Sequence, residues 1–205
     1  MHNESTIYAG NEKNAGKALI MLHGRGSSGE DILSLSDQFL ISDYLIAAPN
    51  ATNNSWYPNS FLAPLQKNEP WLSSALNLID HLVAKILSKG ISKENIYFLG
   101  FSQGACLTLE YICRRGEHWG GVAAFTGGLI GDKIHLENYH GDFKNTPIFL
   151  GSGNPDAHVP VERVHATGNI LRSMHADLTE KIYNDMGHTI IQDEIDNVNK
   201  LIFKA

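Results

Sequence analysis

Cysteine is scarce in this chain: Cys106 and Cys113 are the two it has. In one helical pattern they would lie about 10 Å apart along the axis, too far for a disulfide. No CxxC or CxH spacing accompanies them, so a metal site built on thiolates is not expected and both read as small buried helix residues. Basic charge is also short. Lys and Arg number 16 against 22 Asp and Glu, a net charge of -6, and Arg114 and Arg115 extend into no basic run, which argues against nucleic acid as a partner. Nowhere do about 18 apolar residues follow one another, so stable membrane insertion is not expected. The stretch Met1–Lys13 has neither the basic start nor the apolar core of a signal peptide, and the expected location is cytoplasmic. Repeats, low-complexity tracts and Ser/Gly-rich linkers are missing as well. A chain of 205 residues without them is expected to form one domain, 1–205, around one core.

What the chain does have is enough apolar material for that core, with 42% hydrophobic and 19% charged residues. Short branched or aromatic runs read as buried strands at Ala18–Leu22, Tyr44–Ala48, Ile96–Gly100, Val122–Phe125, Pro147–Leu150 and Leu178–Tyr183. Helical patterns fall between or after them at Asp31–Leu40, Trp71–Lys89, Gln103–Arg114, Val161–Met174 and Thr189–Phe203. The alternation predicts an α/β fold, a mostly parallel central sheet with helices on both faces, because parallel neighbours need helical crossovers. Function is then expected at the carboxyl ends of the strands. Irregular segments are expected at Pro49–Pro70, Gly127–Thr146 and Gly151–Pro160.

One of those strand ends carries Gly100-Phe101-Ser102-Gln103-Gly104, a GxSxG pattern between an apolar strand and a helix. A serine on so tight a turn presents its hydroxyl at the sheet edge as a nucleophile, and the small flanking residues let strand and helix approach. It needs a base, and of ten histidines His188 lies where the order Ser, acid, His puts it, after the last strand and before the last helix. His158 is the rival. His2 falls in a loose terminus, and His81 and His175 within or at the end of helical patterns. The carboxylate that holds the imidazole is assigned to Asp156, in the loop GSGNPDAHVP after a strand, although Asp132, Asp142 and Asp185 also lie in loops. Donors for an oxyanion are expected from backbone N–H groups, Arg25 in MLHGRG after the first strand and Gln103 at the start of a helix. The Arg25 side chain is expected in solvent or at the pocket mouth. His23 and Trp56 are the candidate substrate-binding residues, His23 chiefly as a brace for its loop and Trp56 as a wall of the acyl site.

With these residues in place the sequence resembles the phospholipase/carboxylesterase family of α/β-hydrolases. The resemblance rests on LHGRGSSGED, AAPNATNNSWYP, FLGFSQGACLTLEY, GGVAAFTGG, DAHVP and the MGH near the end, in the family's order over nearly the whole chain. It implies an α/β-hydrolase fold, Ser102, Asp156 and His188 as a catalytic triad, donors at Arg25 and Gln103, and a groove aromatic at Trp56; a separate cap domain is not expected, since no insertion is long enough to form one. RGSSGED is closer to the bacterial carboxylesterase branch than to the eukaryotic acyl-protein thioesterases, which typically carry LGD after the HG. Dienelactone hydrolases are similar in outline but use a cysteine where Ser102 stands.

The expected activity is hydrolysis of short to medium acyl esters of small molecules through an acyl-enzyme on Ser102, with no metal and no organic cofactor. Thioesterase or lysophospholipase-like activity is the nearest alternative, since the same residues would serve. A non-catalytic binding protein of the same fold is a further one, against which the full set of Ser102, His188 and Asp156 speaks. The oligomeric state is open, a homodimer included.

Overall fold

Runs such as Leu19–Leu22 have no polar face to offer water, so they fold as strands covered on both sides. The computed structural model describes residues 1–203. Among them seven strands form one sheet: β1 (Thr6–Gly10), β2 (Lys17–Leu22), β3 (Tyr44–Pro49), β4 (Ile96–Phe101), β5 (Gly121–Phe125), β6 (Pro147–Asn154) and β7 (Asp177–Asn184). Their order across the sheet is β1-β3-β2-β4-β5-β6-β7. β1 runs antiparallel to β3, and every other pairing is parallel.

The period-two alternation of β2 separates two cores. Ala18, Ile20 and Leu22 join Phe98, Val122, Ala124 and Leu150 on one face. There α3 (Trp71–Ser88), α4 (Gln103–Arg115) and α5 (Val161–Ser173) cover them. Leu19 and Met21 join Leu99, Ala123, Phe125 and Phe149 on the other, under α1 (Gly29–Leu33) and α6 (Gln192–Val198). A short helix, α2 (Leu65–Asn68), precedes α3. No helix among the described residues is long and apolar enough to cross a membrane.

Several expectations need correction. β1 was not anticipated: its side chains are only half buried, so TIYAG has no strong apolar period. The helix expected over Asp31–Leu40 stops at Leu33 and continues as a 3-10 turn, Ser34–Gln38. There the Ser34 hydroxyl donates to the Asp31 carbonyl at 2.7 Å and competes with the α-helical ladder. The last helix starts at Gln192 rather than Thr189 and ends in a π turn, Asn199–Phe203, because the Glu194 carboxylate accepts from the Ile191 N–H at 3.1 Å and fixes the helix start there. The segment 151–154, expected to be irregular, extends β6 in register with β7, Gly153 opposite Tyr183. A Cβ at Gly153 would collide with the Met186 carbonyl, so the close approach of the 186–187 turn requires glycine there.

Candidate active site

β4 ends where Ser102 must turn the chain into α4. Ser102 adopts φ 54° and ψ -118°, a region that costs a non-glycine residue of order 1–3 kcal/mol and persists only where surroundings impose it. Here they do: the Ser102 N–H donates to the Phe125 carbonyl at 3.0 Å, and the Cys106 N–H donates to the Ser102 carbonyl at 2.9 Å. A Cβ on Gly104 would strike the Leu22 carbonyl, so only glycine lets α4 lie this close to β2.

The structure brings Ser102, His188 and Asp156 together from three strand ends. The His188 Nε2 lies 2.8 Å from the Ser102 hydroxyl, and its Nδ1 lies 2.8 Å from the Asp156 Oδ2. The other carboxylate oxygen of Asp156 accepts the N–H groups of His158 and Val159 at 2.7 and 2.9 Å. Burial of the Asp156 carboxyl opposes its ionisation. The two N–H donors and His188 outweigh that cost, and the carboxyl titrates below its ordinary value. Two other loop aspartates turn their carboxylates elsewhere, Asp132 to His135 and Asp142 to His175. His188 is flanked by Phe101, with ring centroids 5.3 Å apart, and by His158 at 4.8 Å, nearly perpendicular.

Gly24 brings the 24–26 loop against the nucleophile, for a Cβ there would be 3.5 Å from the Ser102 Cβ. The backbone N–H groups of Arg25 and Gln103 have no acceptor among the described residues. Both lie beside Ser102, and the Gln103 N–H is at the positive end of α4.

The Arg25 side chain does more than the sequence suggested. Its guanidinium donates to the Ser55 hydroxyl and to the carbonyls of Tyr57, Pro58 and Asn59, at 2.7 to 3.0 Å. The Gln103 amide accepts from the Trp56 N–H at 3.0 Å and donates to the Tyr57 carbonyl at 2.8 Å. Two residues beside the nucleophile thus hold the 55–59 segment, and no local pattern could announce it, since most of their partners are backbone groups more than 30 positions away.

That segment walls a cavity of about 410 Å³ on which Ser102 and His188 open, together with Arg25, Tyr57, Phe61, Cys106, His158 and Val159. Burial pushes the Cys106 thiol up to about 12, so it is a protonated lining group rather than a second nucleophile. Cys113 is buried and free as well.

Trp56 and His23, the candidate substrate-binding residues, do not reach this cavity; both are 0% exposed. The Trp56 indole donates to the His23 carbonyl at 2.8 Å and packs on the His23 ring at 4.8 Å. His23 donates through Nδ1 to the Gly24 carbonyl at 2.7 Å and accepts the Ala51 N–H at Nε2, 3.0 Å, which fixes one neutral tautomer. Its burial lowers its pKa in keeping with that. Trp56 therefore faces inward as a foundation of the 49–70 loop, and Tyr57 and Phe61 supply the cavity aromatics instead. His2 is also tied down, donating to the Trp56 carbonyl at 2.9 Å and accepting the Thr52 N–H at 3.0 Å.

Residues 2–205 match the family profile described as Phospholipase/Carboxylesterase. The chain is 31% identical over 194 residues to a probable carboxylesterase, SOBER1-like, of Arabidopsis thaliana, covering 86% of this chain and 74% of that one. It is 27% identical over 213 residues to acyl-protein thioesterase 1 of Kluyveromyces lactis, covering 93% and 92%. The crystal structure of a phospholipase/carboxylesterase from Dyadobacter fermentans superposes with a TM-score of 0.98 at 51% identity, over 99% of this chain and 98% of that one.

Proposed function

Because the chain belongs to the phospholipase/carboxylesterase family, a family of carboxylic ester hydrolases, we propose that it cleaves short to medium acyl esters through an acyl-enzyme on Ser102. His188 is the general base and Asp156 its carboxylate partner. The observation that carries this reading is the unbroken hydrogen-bond chain from Asp156 through His188 to Ser102, 2.8 Å at each link, opening on the cavity. The Ser102 Oγ attacks the ester carbonyl as its proton passes to the His188 Nε2, and ionised Asp156 stabilises the imidazolium that results. The oxyanion is received by the N–H groups of Arg25 and Gln103. His188 then gives its proton to the departing alkoxide, and a water activated by the same imidazole hydrolyses the acyl-enzyme, returning Ser102 to its starting state.

A thioester would be handled by the same groups, and the Kluyveromyces lactis relative is named as a thioesterase. Matched oxygen and thio esters separate the two, a thioester preference of roughly a hundredfold, about 2.7 kcal/mol, displacing the ester reading. Ser102→Ala and His188→Ala should each fold and lose on the order of 10⁴ to 10⁶ in kcat, and Asp156→Asn on the order of 10⁴. A fluorophosphonate should label Ser102 in the wild type. Absence of that adduct in folded protein would overturn the proposal in favour of a binding protein.

A further inference from the structure

The hydrogen-bonding groups around the cavity are unequally occupied. The Arg25 guanidinium and the Gln103 amide are committed to the 55–59 segment, and His188 has both ring nitrogens on Asp156 and Ser102. The exposed His158 is different. Its backbone N–H is held by Asp156 at 2.7 Å, which fixes where the residue sits, while its ring nitrogens have no hydrogen-bond partner among the described residues and the residue lines the cavity.

Its place relative to the reacting atoms follows from the chemistry. His188 must hand its proton to the leaving oxygen, so the alcohol half of an ester lies against the His188 Nε2. The His158 ring packs on that same imidazole, with centroids 4.8 Å apart. Exposed Asn59 and Ser60 also line the cavity; the Asn59 Nδ2 donates to the Lys67 carbonyl and the Ser60 Oγ accepts the Leu62 N–H, both within their own loop. An alcohol moiety leaving this site therefore passes an imidazole able to donate at one nitrogen and accept at the other.

We propose that His158 is a specificity-determining residue that hydrogen-bonds a second hydroxyl on the alcohol half of the substrate, so that the preferred substrates are monoesters of polyhydric alcohols. This rests on the catalytic reading above and names the substrate class of that site. A neutral hydrogen bond of this kind contributes about 0.5 to 1.5 kcal/mol, so discrimination of roughly threefold to tenfold is expected.

The test compares kcat/KM for 2-hydroxyethyl, 2-methoxyethyl and propyl butyrate, each divided by its rate of hydroxide-catalysed hydrolysis to remove the intrinsic difference between leaving groups. The wild type should favour the hydroxyethyl ester over the propyl ester by roughly threefold to tenfold, with the methoxyethyl ester, which accepts but does not donate, between them. His158→Phe should bring the ratio of kcat/KM for the hydroxyethyl ester to that for the propyl ester, taken within the variant, to about one, and His158→Gln should restore part of the preference. The proposal is overturned if the wild type shows no preference, if His158→Phe keeps it, or if His158→Phe slows all three esters equally, which would make the ring only a support for His188. Failure of the catalytic reading looks different: none of the three esters turns over and the fluorophosphonate leaves Ser102 unlabelled.

Discussion

Replacing Glu194 by glutamine should stabilise the folded chain at pH 8 and leave it nearly unchanged at pH 4.5. Glu194 is 0% exposed in α6, with its Oε2 on the Ile191 N–H and its Oε1 without a partner. Burial, assisted by the nearby charge of Asp193 and opposed by the Ile191 N–H, pushes its carboxyl up to about 7 from an ordinary 4.5. Between those values the folded chain holds a proton that the unfolded chain has released, so stability falls as pH rises through that window. At 1.36 kcal/mol per pH unit the loss above pH 7 is roughly 3 kcal/mol, an upper figure since the surroundings relax. Glutamine keeps the acceptor for Ile191 and never ionises, so the difference should be recovered in full at pH 8. Urea unfolding of both proteins at pH 4.5 and 8 measures it, with unchanged slopes showing that the same transition is compared. Should Glu194→Gln destabilise by the same amount at both pH values, the argument from a buried neutral acid fails.

Trp56→Ala should cost about 3 to 5 kcal/mol of stability, as expected for a fully buried indole with a hydrogen bond; a loss under about 1 kcal/mol with a raised KM would return Trp56 to the substrate. Arg25→Ala should lower kcat/KM on the order of tenfold to a hundredfold and expose the 55–59 segment to limited proteolysis, with Arg25→Lys recovering only part because an ammonium cannot reproduce the fork. Activity on p-nitrophenyl esters should peak at roughly two to six acyl carbons, since a cavity of about 410 Å³ is shared by both halves of the ester and is small by the standard of ligand sites. A peak at about twelve carbons would refute this.

The elements closest to the chemistry were the most legible from sequence, and for a physical reason. The strands β2 to β6 carry buried apolar runs because both their faces are covered, and the turn at Ser102 must have small neighbours because α4 crosses β2 within contact of its backbone. Both requirements leave local marks. Asp156 could be singled out among the loop aspartates only by its place after a strand, yet that loop is where the His188 ring finds its carboxylate. Trp56 was misread because an aromatic in a Pro-rich loop looks the same whether it faces a ligand or the core. What decides is the distant His23 carbonyl that its indole needs. β1 escaped because an edge strand is stabilised by pairing with β3 more than by its own side chains.

The Arg25 clamp sets terms for change in this enzyme. Three of its four acceptors are main-chain carbonyls, at Tyr57, Pro58 and Asn59, groups that nearly any residue would supply at those positions. The clamp on 57–59 therefore does not depend on which side chains stand there, whereas Asn59, Ser60 and Phe61 also hold the wall through the Lys67 carbonyl, the Leu62 N–H and the core. At Pro58 scaffold and selectivity are written in different chemical alphabets, one in backbone and one in side chain. Substitutions at exposed Pro58, which lines the cavity and is held through its carbonyl, would alter the cavity without disturbing the groups that cut the ester.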